Sequence, residues 1–179
     1  MGRSFLGSVA LGLGAALLLT LLAPACGRAD KRADGPQASS ADSSDREAEK
    51  QKIAEVVSSV IGWAKDKDLD KFYGSIANDE DYISVTPGER IVKRFEDVMQ
   101  NVPFWMSPDF QYVRHELKDL EITFARCGEV AWFFCVLDDI NTYKGQPASW
   151  ENARWTGVVE KRDGKWVVVS QHFSFASDK

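Results

Sequence analysis

"FQYVRHELKDLEITFA", Phe110 to Ala125, carries two apolar rows that do not share a phase. Val113, His115 and Leu117 fall on one parity and Leu120, Ile122 and Phe124 on the other, with the switch at Lys118-Asp119. Side chains alternate along a strand with a period of two. Both rows can therefore reach one face only if an extra residue is absorbed as a β-bulge, which bends the strand. The stretch predicts a bent sheet, and the elements around it decide what the bend encloses.

Downstream, three more long strands follow at about Val130 to Ile140, Ser149 to Arg162 and Lys165 to Phe175. They are joined by turns at Cys127-Gly128, Lys144 to Pro147 and Asp163-Gly164. Asp163-Gly164 fits a two-residue primed turn, whose central residues both need φ > 0. From that turn the expected register pairs Arg162 with Lys165, Val159 with Val168, Gly157 with Ser170 and Trp155 with His172. "VAWFFCVL" (residues 130–137) is apolar on both faces, which predicts a central strand covered on both sides.

Upstream, Ile53, Val56, Val57, Val60, Ile61 and Ala64 recur at three and four residues, an amphipathic helix over Glu47 to Lys65. "DLDKFYGSI" reads as a short helix capped by Asp68, "DYISVTP" as a strand stopped by Pro87, and "RFEDVMQNV" as a third helix ended by Pro103. Helices followed by a bent antiparallel meander give an α+β cone: three N-terminal helices on a strongly bent, mainly antiparallel sheet, with a pocket at the open end.

These segments, from about Ala48 to Ser177, resemble the SnoaL-like branch of the nuclear transport factor 2-like superfamily. The resemblance rests on the early helix with Trp63, the "AWF" strand, Arg154 and Thr156, the turn with Gly164 and Trp166, and the end with His172 and Ser174. It implies the cone-shaped fold and a homodimer through the convex sheet face. For activity it implies a range, since relatives include isomerases, dehydratases, cyclases and proteins without chemistry.

Small-ligand sites set a few polar groups in apolar walls. With the expected register, His172, Ser170 and Ser174 point into the cone mouth, lined by Trp63, Trp105 and Trp155, with Tyr82 nearby. Of the adjacent acids Asp138 and Asp139, one side chain turns inward, and Asp138, with Asp81 as the alternative, is taken as the partner of His172 for proton transfer. Arg154, turned inward, would grip a ligand carboxylate. Two functions remain open. One is non-catalytic binding of a small, largely apolar ligand or a protein partner. The other is an isomerase-, dehydratase- or cyclase-type enzyme moving protons on a small hydrophobic carbonyl compound. No cofactor is expected, and the two histidines lack the spacing of a metal site. The net charge of −5 speaks against nucleic acid as partner.

The first 46 residues read differently. Arg3, the uncharged run Phe5 to Leu22 and Ala23-Pro24-Ala25 form an export signal over residues 1–25, with a permanent membrane helix as the competing reading. "LLAPAC" resembles the lipobox of bacterial lipoproteins, which would acylate Cys26. In that class Gly27 directs the protein to the outer membrane, facing the periplasm, and the alternative is a soluble periplasmic or secreted protein. Residues 26–46, polar and charge-balanced, are expected to be a disordered tether leading into a domain over residues 47–177. Cys127 and Cys135 are too far apart along the chain's turn and strand to be bridged.

Overall fold

The computed structural model describes residues 40–177; the segment expected to be an export signal, Cys26 and most of the expected tether lie outside the described residues. Helix α1 (Ser40–Gly62) leads into a single 3-10 turn, Trp63–Lys65, and α2 (Leu69–Tyr73). Then come β1 (Ile83–Val85), β2 (Ile91–Lys93), α3 (Arg94–Met99) and α4 (Val102–Met106). Strands β3 (Phe110–Phe124), β4 (Val130–Tyr143), β5 (Gln146–Pro147), β6 (Trp150–Arg162) and β7 (Lys165–Ser174) complete the chain. The strands form one mixed sheet in the order β2-β1-β7-β6-β4-β3, with β5 beside β4. Its antiparallel pairs are interrupted once, where β1 runs parallel to β7.

Helix α1 begins at Ser40 rather than Glu47, so the last residues of the expected tether are helical. Residues 43–48 are all exposed; extending an existing helix costs far less than nucleating one, so polar residues can follow the packed turns. The packed turns present Ile53, Val57 and Val60 to the sheet. Glu49 fastens the helix to the final hairpin, accepting bonds from Lys161 Nζ at 2.8 Å and Trp166 Nε1 at 2.7 Å. Asp68 caps α2 as expected, its carboxylate accepting from the Lys71 amide at 2.9 Å. Pro103 does not end the helical region. It occupies the first turn of α4, where its missing N–H has no partner to lose.

The bend sits where the apolar phase changes: the β3–β4 register shifts between Lys118 and Glu121, and Asp119 adopts φ 53°. A second shift falls between Tyr112 and Arg114, and a third in β6 opposite Asp138, where Asn152 has φ 53°. The Asp163-Gly164 turn has φ 50° and 79°, both positive as the primed turn requires.

The final hairpin corrects the expected register. Arg162 pairs with Lys165 and Val159 with Val168, but Val158 then pairs with Ser170, leaving Val169 as an extra residue in β7. Beyond this bulge Gly157 pairs with Gln171, Thr156 with His172 and Trp155 with Phe173. Gln171 and Phe173 consequently turn inward and are buried, whereas His172 is exposed. Gly157 gives its space to the Phe133 ring: a Cβ at 157 would lie 2.5 Å from Phe133 Cε1 and 2.8 Å from the Ser170 carbonyl oxygen.

The core lies between the helices and the concave face, with Trp155, Phe133, Leu137, Val159 and Val168 fully buried against Ile53 and Ile76. Among the described residues nothing covers the outer face of β4: Trp132 is 50% and Phe134 36% exposed.

Candidate functional site

Between the helices and the curled sheet lies a cavity of about 460 Å³. Its helical wall is a cluster of three rings. Trp63 stacks on Phe72 at 4.7 Å between centroids, and Trp105 meets both edge-on at 5.8 and 5.7 Å. On the sheet side, Trp150 and Phe173 meet at 5.1 Å and both line the cavity. Aromatic pairs of this kind prefer offset and edge-on contacts.

Two polar stations interrupt this surface. One lies on β7 and just before β1: Gln171 Nε2 donates to the Tyr82 hydroxyl at 2.7 Å, with Ser84 also lining the cavity. Burial pushes the Tyr82 phenol up to about 12, so it keeps its proton at neutral pH. Gln171 Oε1 is buried without a hydrogen-bond partner.

The other station lies near the end of β4. The parity of Ala131, Phe133, Cys135 and Leu137 continues inward to Asp139 and Asn141. Asn141 Nδ2 donates to Asp139 Oδ1 at 2.7 Å, while Asn141 Oδ1 is buried and unpartnered. Burial pushes the Asp139 carboxyl up to about 6, the Asn141 bond opposing this only in part. An unsatisfied buried polar atom costs about 1–3 kcal/mol.

The structure brings Trp63, Tyr82 and Trp105 to the cavity, as the sequence led us to expect. Other expected site residues lie elsewhere. Asp138 points the opposite way from Asp139. Its carboxylate accepts from the Asn152 amide at 2.8 Å, capping the bulge, and pairs with Lys118 at 2.9 Å and Arg114 at 3.7 Å. These bonds, the Asn152 one foremost, hold it below the usual carboxylate range. His172 and Ser170 border a shallow depression on the outer face beside Trp132 and Phe134, and Ser174 shares their parity. The reason in each case is the extra residue at Val169. Arg154 is exposed, its guanidinium donating to the Phe175 carbonyl oxygen. Trp155 faces inward but sits behind the lining, stacked on Phe173 at 5.0 Å and edge-on to Phe133 at 5.1 Å.

The inward histidine is instead His115, directly opposite Asp139 on β3. Both its ring nitrogens are engaged, by Ser58 Oγ at 2.8 Å and the Tyr112 hydroxyl at 2.8 Å, and burial lowers its pKa. Asp139, Asn141, Gln171 and Phe173 were the residues missed. Strict alternation along β4 identifies the first two; Phe173, large and apolar on the wrong parity for Trp166 and Val168, is the signal for the others.

Solved structures share this architecture. A putative dehydratase of the nuclear transport factor 2-like family from Streptomyces avermitilis superposes with a TM-score of 0.63 at 14% identity, covering 74% of this chain and 99% of that one. A nuclear transport factor 2-like superfamily protein from Salmonella enterica gives 0.60 at 16%, covering 75% and 95%. A putative calcium/calmodulin-dependent kinase II association domain from Exiguobacterium sibiricum gives 0.58 at 9%, covering 81% and 100%. At these identities the likeness is one of fold. No curated protein matches the sequence. Residues 53–178 match the family described as the SnoaL-like domain, and the chain belongs to that family.

Proposed function

We propose that the domain binds a small, largely apolar ligand in this cavity, without catalysis. The observation that carries the reading is the pairing of aromatic walls with buried polar oxygens, Asn141 Oδ1 and Gln171 Oε1, that no group among the described residues satisfies. Pockets for small molecules combine these two features around an open cavity. The same proposal places the domain at the end of a tether from an acylated Cys26, exported and facing the periplasm. It joins two copies through the outer sheet face, where Trp132 and Phe134 stand exposed.

One native mass measurement on the full chain, extracted from bacterial membranes in mild detergent, tests all three parts. The expected spectrum shows twice the mass of the chain beginning at Cys26, added acyl mass on each copy, and a released small molecule on gentle activation. A ligand-free spectrum, together with no change in tryptophan fluorescence on titration with neutral aromatic probes, would sink the binding reading.

A second reading has one observation in its favour. A carboxyl poised near pH 6 in an apolar cavity is suited to take a proton from carbon next to a carbonyl. The pair first expected to do this, His172 with Asp138, is not assembled, so Asp139 alone would carry it. The binding reading expects bound hydrophobic ketones to exchange their α-hydrogens with deuterated water no faster than in buffer. Faster exchange, lost in Asp139→Asn, would establish the enzyme instead.

A further inference from the structure

Most acids that touch the folded core are matched by a cation. Asp138 has Lys118 and Arg114, Glu49 has Lys161 and Lys52, and Asp79 has Arg162. Asp139 is different. Its only hydrogen-bond partner among the described residues is the Asn141 amide, and no lysine or arginine among them pairs with it.

The groups facing it do not supply a charge. His115 is opposite, but its nitrogens are committed to Ser58 and Tyr112 and burial disfavours its protonation. Tyr82, further along the cavity, is held neutral. Arg90 also lines the cavity, yet it is exposed and its guanidinium donates to Asn101 Oδ1. A cation in water is screened, whereas a carboxylate in a low-dielectric pocket is not.

Beside the carboxyl sits a second acceptor without a donor. Asn141 is 4% exposed, lines the cavity and leaves Oδ1 unpartnered. Trp150 is the cross-strand neighbour of Asp139 on β6, and Phe104 and Phe110 border the same end, their rings 5.4 Å apart. Aromatic faces attract cations and tolerate an apolar body. Two adjacent acceptors, one of them ionisable, in aromatic surroundings call for a ligand that brings both N–H donors and positive charge.

We propose that the cavity takes a protonated amine with an apolar body, its ammonium seated between the Asp139 carboxylate and Asn141 Oδ1. This rests on the ligand-binding reading above and names its chemistry.

The test is calorimetric titration of the full chain at pH 7.5 with three probes of one shape: 3-phenylpropylamine, 3-phenylpropanol and 3-phenylpropionate. The amine should bind about tenfold or more tighter than the alcohol, because its positive charge pairs with the Asp139 carboxylate, which a neutral hydroxyl can only hydrogen-bond. The carboxylate should bind weakest. Asp139→Asn should erase the amine's advantage, its affinity falling to that of the alcohol for the same variant, and Asn141→Leu should reduce it; melting curves verify that both variants fold. An alcohol that binds as tightly as the amine, a carboxylate that binds tighter, or an amine preference that survives Asp139→Asn each overturns the amine assignment and leaves the pocket reading intact. No binding by any probe overturns both.

Discussion

Replacing Trp155 with alanine should lower the unfolding free energy by about 3–5 kcal/mol, the range seen when a buried aromatic is truncated in a packed core. Trp155 is fully buried, and its ring lies between Phe133 and Phe173 at 5.1 and 5.0 Å. Its cross-strand partner on β4 is Cys135, also fully buried, so no side chain can relax from solvent into the space left. Domains of this size hold only about 5–15 kcal/mol in total, so the variant would be marginal at ambient temperature. One feature of the site works against the full loss: the indole Nε1 is buried with no acceptor among the described residues. Trp155→Phe removes that donor along with one ring, so it should cost far less than the alanine change. Urea unfolding of the three proteins decides the matter, read as midpoints at unchanged slope. A phenylalanine variant as unstable as the alanine one would mean that the indole nitrogen is satisfied after all.

The same residue shows what the sequence could and could not convey. That Trp155 faces the helices follows from its alternation with Ala153 and Val159 around the β6 strand, and the bend in β3 follows from the visible phase change at Lys118-Asp119. The bulge in β7 left a fainter trace. Val167, Val168 and Val169 are three like residues in a row, so the inserted one cannot be told from its neighbours by polarity. Only Phe173 discloses the shift. Every site residue placed downstream of that point, His172, Ser170 and Ser174, was therefore assigned to the wrong face. Upstream of it, Trp63, Tyr82 and Trp105 were placed correctly, because a helix face and a strand start carry no accumulated register error. The choice of Asp138 over Asp139 was a different kind of miss: the β4 alternation was legible, but the pair was read as interchangeable.

Asp139→Asn should make the protein more stable at neutral and alkaline pH, and not in acid. Burial raises the Asp139 carboxyl in the folded state from its ordinary 3.8 to about 6. Between those values the folded chain holds a proton that the unfolded chain releases. The stability tied to this proton is fully present below about pH 4 and is lost as pH rises through about 6. At 1.36 kcal/mol per unit the loss is about 3 kcal/mol by pH 8. Asparagine has the same shape and no charge to desolvate. The variant should match the parent at pH 4 and exceed it by about 2–3 kcal/mol at pH 8. Glu49 moves oppositely: hydrogen bonding by Lys161 brings it down to about 2, so its contribution is full above about 4.5 and is lost as pH falls toward 2. Taking the difference between parent and variant at each pH cancels this shared trend and isolates Asp139. Thermal and urea unfolding from pH 4 to 8 provide the measurement, and equal stability at pH 8 would show that the carboxylate is already compensated. If the gain appears, folding alone gives no reason to keep an acid there. A cation bound at that position would return the stability that ionisation removes, and the parent should then be stabilised by 3-phenylpropylamine at pH 8 while the asparagine variant is not.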